Sequence, residues 1–374
     1  MRTAVYINGR FLTQKVTGVQ RYAREVLSAL DEVVLASPPS FELEVLAPPG
    51  TVAPPLRALR FRSAGPFRGN VWEQLTLPVL ARGGLLWSFT PTGPLVTARQ
   101  VVTLHDAAVR AIPEAYTATF RVWYRLLFTV LVARVPHVLT VSNFSRDEIV
   151  RRFRCDSSKL HVMLEGWQHI RRVAADESVL ARHGLRPGRY VLAVSSLTPN
   201  KNFKLIAEAV RSLGDVDFDV AIAGSLDDKI FGAGGAPAAA FVKYLGYVSD
   251  AELRALYENA GVFVYPSLYE GFGIPAIEAM ASGCPVIASN SASLPEVCGD
   301  GARYVSPRDA DGLARAIDEL MHDEVERRRL AERGRDVARR YSWEAAARLN
   351  LAVMTHAVEQ LLAGEAAARH DVRA

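Results

Sequence analysis

Two carboxylates, Glu270 and Glu278, bracket a glycine-rich turn in the segment Tyr265 to Ile287, YPSLYEGFGIPAIEAMASGCPVI. A strand is expected to end at Tyr265, and the loop after it carries Glu270, Gly271, Phe272, Gly273 and Ile274. Pro275 suits the first turn of a helix, where a missing N–H is no loss. Gly283 suits the end of that helix, and Pro285 leads into the next strand. Glycines on both sides of Phe272 let the backbone approach a ligand closely, and free amides at a helix start favour phosphate or sugar hydroxyls. A carboxylate accepts from two vicinal hydroxyls, so one of the pair can hold a hexose and the other a ribose. The plainer alternative makes Glu270 a helix cap and Glu278 a solvated helix residue, since an isolated Glu pair at this spacing carries little information. The glycine turn, the proline and the following AMASGCPVIAS run weigh against it.

Such a turn needs a sheet to present it. Short apolar runs alternate with helical patterns along the whole chain, which indicates parallel strands covered on both faces. The first series is Thr3–Ile7, Phe41–Leu46, Leu85–Phe89, Gln100–Leu104 and Val138–Val141, with a helix over Gln20–Leu30. The second is Tyr190–Val194, Phe218–Ala223, Val242–Leu245, Val262–Tyr265, Val286–Ser289 and Ala302–Val305. The expected fold is α/β, with two Rossmann-like doubly wound domains facing a central crevice, and ligands beyond the carboxyl ends of the strands. Residues 1–170 form the first domain and 171–344 the second, with Arg171–Gly188 read as a turn-rich linker. Ala345–Leu362 is helical by pattern, and the tail 345–374 is expected to pack back on the first domain. Pro48–Asn70, rich in Pro, Gly and Arg, reads as a long mobile loop near the crevice.

At 374 residues the chain is long enough for two cores. A hydrophobic share of 49% with 22% charged residues excludes a disordered chain. The net charge is only +4, and 38 arginines against six lysines read as a compositional bias, the alternative being a basic face that meets phosphate or anionic lipid. Cys155, Cys284 and Cys298 are odd in number with no CxxC spacing, so neither a disulfide framework nor a zinc site is expected. A reducing compartment fits. The stretch Leu126–Val141 is interrupted by Arg134, Pro136 and His137 and falls short of a membrane span. Asp215, Asp217 and Asp219 spell D-x-D, but before a strand rather than after one, so they read as a solvated turn. The loop FGAGGAP lacks the strand–helix context of a dinucleotide fingerprint.

The segment with Glu270 and Glu278 resembles the E-x7-E signature of the retaining GT-B glycosyltransferases of family four. The continuation SNSASLPEVCGDGARYV and the segments THDAAVRAIPE, TVSNFSRDEI and YSWE are similar to recurring stretches of the same family. The resemblance implies that Glu270 holds the transferred hexose and Glu278 the ribose, with amides of Gly271, Phe272, Gly273 and Ile274 on the sugar and diphosphate. It implies that Tyr247 and Val248 border the base, although Tyr247 serves equally well as a core residue. Ser195, Ser196 and Lys201, in VSSLTPNKNF after the strand Tyr190–Val194, are the expected phosphate contacts. Where the family usually carries a basic pair, this chain has Asn200 before Lys201. Gly18, in KVTGVQRYARE, stands alone where the family has a glycine-rich turn closing on the diphosphate, with Arg21 a turn later. His105, with Asp106 at the end of Gln100–Leu104, is expected by resemblance to face the hexose near its primary hydroxyl.

The expected catalytic set is therefore Glu270, His105 and Lys201, with no cofactor and no metal. The nucleotide-sugar is a co-substrate. NGRFLTQKVTGVQRYA and SSLTPNKNF look most like members using GDP-mannose or a related GDP-sugar, and UDP-sugars stay open. The expected acceptor is a growing bacterial glycan on a polyprenyl carrier, as in O-antigen or exopolysaccharide assembly. No nucleic acid is expected. The chain is expected in the cytoplasm, with peripheral contact to the inner membrane through residues such as Phe120, Trp123, Tyr124 and Arg125, unless these simply belong to an amphipathic core helix. A nucleotide-sugar epimerase or hydrolase of the same fold, and a non-catalytic sugar-binding module, are the competing classes.

Overall fold

The computed structural model describes residues 3–194, 198–224 and 241–371. Ser195 and Ser196 lie outside the described residues, as does FGAGGAP. The chain forms two compact units, the first from residues 1–111, 117–165 and 343–374, the second from 166–342 together with 112–116.

The first unit is built on a seven-stranded sheet: β1 (Ala4–Asn8), β2 (Glu42–Ala47), β3 (Arg60–Ser63), β4 (Leu85–Ser88), β5 (Gln100–Thr103), β6 (His137–Thr140) and β7 (Leu160–Val162). The order is β3-β2-β1-β4-β5-β6-β7, and every pairing is parallel. All four residues of β4, β5 and β6 are buried, the pattern of strands covered on both faces. The final helix, Trp343–Asp371, packs on Gly18–Ala36, with Trp343 edge-on to Tyr22 and Asn350 Nδ2 donating to the Tyr22 hydroxyl at 3.4 Å.

Within the stretch expected to be a long loop, β3 forms an edge strand. Arg60 and Arg62 bond Glu42 and Glu44 of β2 at 3.0 Å each. A four-residue strand of alternating arginines lacks the apolar signature that a sequence pattern can detect. Charge on an edge strand also discourages further pairing.

The second unit carries β8 (Tyr190–Val194), β9 (Asp219–Ala223), β10 (Val242–Gly246), β11 (Val262–Tyr265), β12 (Val286–Ser289) and β13 (Ala302–Val305). Their order, β10-β9-β8-β11-β12-β13, reverses direction between β8 and β11. Val191, Ile222, Val264 and Ile287 pack with Ile206, Leu313 and Ile317 from the covering helices. The expected linker 171–188 is not extended chain. It holds the end of one short helix, His169–Arg172, and another, Ser178–His183, closed by Gly184 in the left-handed region. Both pack on Asp250–Asn259, where Arg254 Nη1 donates to Val173 O at 2.7 Å. Helices of four and six residues are too short for a 3.6-residue period to emerge from a polar sequence. Asp217 pairs with Arg189 at 2.8 Å just before β9, at the amino edge of the sheet.

Gly283 ends the helix Ile274–Ala281 at φ +79°, and a Cβ there would run into the Arg335 guanidinium. Gly188 has φ +71° with open space around it. Gly188→Ala should therefore lose about 1–2 kcal/mol from the left-handed backbone alone. Gly283→Ala should lose more, because Arg335 must also move; equal losses in chemical denaturation would refute that reading.

Candidate active site

The turn between β11 and the helix Ile274–Ala281 is held from several sides within the second unit. Asn202 Nδ2 donates to Pro266 O at 3.0 Å and Pro307 O at 2.8 Å. Asn200 fixes the middle of the loop: its Nδ2 donates to Tyr269 O at 3.1 Å, and its carbonyl accepts from Leu268 N at 2.7 Å. Ser293 Oγ contacts the carbonyls of Glu270 and Phe272 at 3.1 and 3.0 Å. Gly273 has φ +108°, and a Cβ would lie 2.7 Å from Leu294, so the turn admits only glycine there. Asn200, which stands where the family carries a basic residue, thus has a structural task as the latch of this loop.

That scaffold brings Glu270, Lys201 and Tyr265 together. Lys201 Nζ donates to Glu270 Oε1 at 2.7 Å and to the Tyr265 hydroxyl at 3.1 Å. Tyr265 donates in turn to Glu270 Oε1 at 2.9 Å. Glu270 and Lys201 side chains are only 11% and 19% exposed. Burial disfavours the ammonium, but Glu270 and Tyr265 outweigh it and hold the Lys201 pKa above its ordinary value. Burial, and then Glu270, push the Tyr265 phenol up, so it stays a neutral donor. Among the described residues no hydrogen bond reaches Glu270 Oε2.

Glu278 is buried rather than solvated, at 6% exposure. Its Oε1 accepts from His169 Nε2 at 2.6 Å and its Oε2 from the Tyr257 hydroxyl at 3.2 Å. Tyr247 lies just past β10 and is 85% exposed, so it is not a core residue. An exposed aromatic ring after a strand's carboxyl end suits stacking against a flat base. Val248 beside it is half-buried.

In the first unit, His105 follows β5 and is buried. Its Nε2 bonds Phe89 O at 3.1 Å, its Nδ1 lies 3.6 Å from Glu165 Oε1, and the Tyr22 ring meets it edge-on at 4.8 Å. Gly18 opens the helix Gly18–Ala36, and a Cβ there would meet nothing within 4 Å. Among the described residues no neighbour requires a glycine at that position. Phe120 stacks on Tyr124 at 4.1 Å, and their helix, Ala118–Arg134, buries Leu127, Phe128, Leu131 and Val132.

Several partners of these residues had no sequence signal. Tyr265 reads only as the end of an apolar strand, and no motif singles out Tyr257, His169 or Glu165. Only packing shows that Tyr265, Tyr257 and His169 bond the two carboxylates within the second unit, and that Glu165 lies beside His105 in the first.

A six-stranded and a seven-stranded doubly wound parallel sheet, each in its own unit, give the GT-B architecture of glycosyltransferases. The fold aligns with a sucrose-phosphate synthase from Thermosynechococcus elongatus at a TM-score of 0.70 and 20% identity, covering 97% of this chain and 100% of that one. It aligns with HepE from Anabaena, in complex with UDP and glucose, at 0.72 and 16% identity, covering 95% and 100%. The family model for glycosyl transferases group 1 matches residues 181–337, which contain the whole Glu270–Glu278 segment. An O-antigen chain mannosyltransferase B of Escherichia coli is 34% identical over 66% of this chain and 67% of its own length. An MMP α-(1→4)-mannosyltransferase of Mycolicibacterium hassiacum is 36% identical over 62% of this chain and 57% of its own length. RfbU of Salmonella typhimurium, an O-antigen chain mannosyltransferase, is 29% identical over 83% and 89%. The chain belongs to the group 1 glycosyltransferases. It is a glycosyltransferase enzyme.

A raised lysine pKa adds stability that is fully present below the unfolded value of 10.5 and lost as pH rises through the higher folded value. Lys201→Met should therefore lower stability by about 3 kcal/mol at pH 7, because Glu270 is left buried without its cation. The gap from wild type should hold up to pH 10.5 and close only above it. A gap that closes by pH 9 in thermal melts would mean that Lys201 is not held in its charged form.

Proposed function

We propose that this enzyme transfers a hexose, mannose from GDP-mannose or a related GDP-sugar, onto a polyprenyl-linked glycan of a bacterial polysaccharide such as O-antigen, with retention at the anomeric carbon. The observation that carries the reading is the Glu270–Lys201–Tyr265 cluster beneath the glycine turn, with Glu278 one helical stretch away. Relatives named as O-antigen mannosyltransferases support mannose and the glycan acceptor. Glu270 Oε2 would accept hexose hydroxyls, and Glu278 the ribose diol. The loop amides and Lys201 would meet the diphosphate, so the charge of the leaving group is balanced without a metal. The acceptor oxygen bonds to the anomeric carbon on the face from which the nucleoside diphosphate departs. Its proton passes to a β-phosphate oxygen of that leaving group. No enzyme nucleophile takes part, and His105 would orient the sugar.

Peripheral membrane contact fits the exposed apolar residues of the first unit. Val71, Leu75 and Val79 recur at four-residue intervals along the helical stretch 69–80, at 50, 59 and 70% exposure. Val122 and Leu126, at 70 and 52%, lie beside Arg121 and Arg125 on Ala118–Arg134. Such faces suit an interface rich in anionic lipid. No helix among the described residues is long and apolar enough to cross a membrane.

GDP at a hundredfold excess over its Kd should stabilise the protein by about 2.7 kcal/mol, and UDP by less. With acceptor present, GDP-mannose should turn over, chelator should leave the rate unchanged, and donor alone should give neither epimer nor free GDP. Glu270→Ala should lose about a thousandfold in rate or more while keeping its fold. Faster turnover of UDP-sugars would displace the donor assignment, and near-normal turnover by Glu270→Ala would end the site assignment. Leu75→Asp with Val79→Asp should release the protein from vesicles containing anionic lipid; equal sedimentation of wild type and variant would remove the membrane contact.

A further inference from the structure

The short helix His169–Arg172 is pinned to its surroundings more firmly than four residues alone would allow. Trp167 Nε1 donates to Ala338 O at 2.8 Å, and Gln168 Nε2 to Tyr341 O at 2.9 Å. Arg171 Nη2 donates to Ala281 O at 2.7 Å, at the carboxyl end of the helix that carries Glu278. The same guanidinium covers the Trp167 ring at 5.3 Å. His169 thus reaches Glu278 from a fixed base, and its ring is 3% exposed.

A carboxylate this deeply buried needs donors, and here each oxygen receives one from within the unit: His169 on Oε1 and Tyr257 on Oε2. The Tyr257 phenol is buried beside that carboxylate, and both effects keep it in the protonated, donating form. Each carboxylate oxygen has a second lone pair, and two such lone pairs on one rigid group match the two hydroxyls of a vicinal diol. We infer that His169 is a positioning residue: it orients Glu278 so that both of its oxygens meet a ribose diol, and the chain thereby distinguishes ribonucleotides from their deoxy analogues. This rests on Glu278 being the ribose ligand.

The test measures Kd by calorimetry for GDP, UDP and the 2′-deoxy and 3′-deoxy forms of each, using whichever base binds more tightly, alongside KM and kcat for the matching donor. Wild type should prefer the ribonucleotide by about tenfold or more, the scale of a hydrogen bond to a charged group. Glu278→Ala should abolish that preference. His169→Ala should reduce it to about threefold or less and raise donor KM about tenfold, with kcat within about threefold, as for loss of a residue that orients a ligand group. His169→Gln, which keeps an N–H donor, should recover most of it. Tyr257→Phe, which removes the longer bond, should cost less than His169→Ala. If His169→Ala does not fold, the comparison of His169→Gln with His169→Leu replaces it. A full ribose preference in His169→Ala, with none in Glu278→Ala, overturns the positioning role alone. A full preference in Glu278→Ala overturns the ribose assignment and this inference with it.

Discussion

A lysine and a glutamate drawn out of water beneath a glycine turn are the constraint on which the second unit's site depends. Taking Lys201 and Glu270 from water carries a desolvation cost that only close geometry offsets, and the 2.7 Å contact shared with the Tyr265 hydroxyl provides it. The pair contributes no net charge, yet it fixes where a cation and a carboxylate stand relative to the loop amides. A ligand meets a preorganised dipole rather than two mobile side chains, which is how electrostatic stabilisation is obtained without reorganisation.

Around that pair the unit uses neutral side chains as braces. Asn200, Asn202 and Ser293 act on loop carbonyls and hold the backbone that presents Glu270. Asn202 itself sits at φ +59°, a conformation asparagine tolerates better than most residues. The first unit follows the same principle at the end of β1. There Arg10 and Glu73 form a buried ion pair at 3.2 Å, joined by Asn8, at 2.8 Å from Glu73, and by Thr92. In both units polar groups deep in the fold are satisfied mostly by one another, as buried polar networks must be.

Much of the fold was legible because burial on both faces of a parallel strand leaves an apolar run such as VVTL or VFVY that needs no further context. The turn that presents the carboxylates was legible for a similar reason, because glycine and proline at fixed offsets each answer a local backbone demand, whereas the roles of Glu270 and Glu278 came only from the family resemblance. Edge strand β3 and the short helices of 169–183 were not, because edge pairing and docking on a neighbour hold them rather than any period of their own. Tyr247 could have gone either way, and only its 85% exposure decides that it is not core.

The sequence by itself determined the central strands of both sheets, their parallel character and the position of the Glu270–Glu278 turn, since each follows from residues within a few positions of one another; it did not mark β3, β7 or the short helices of 169–183. Tertiary structure alone decided the partners. Lys201 meets Glu270 across 69 positions and His169 meets Glu278 across 109. No local rule encodes such contacts; they form only when the crossover helices bring the ends of distant strands together.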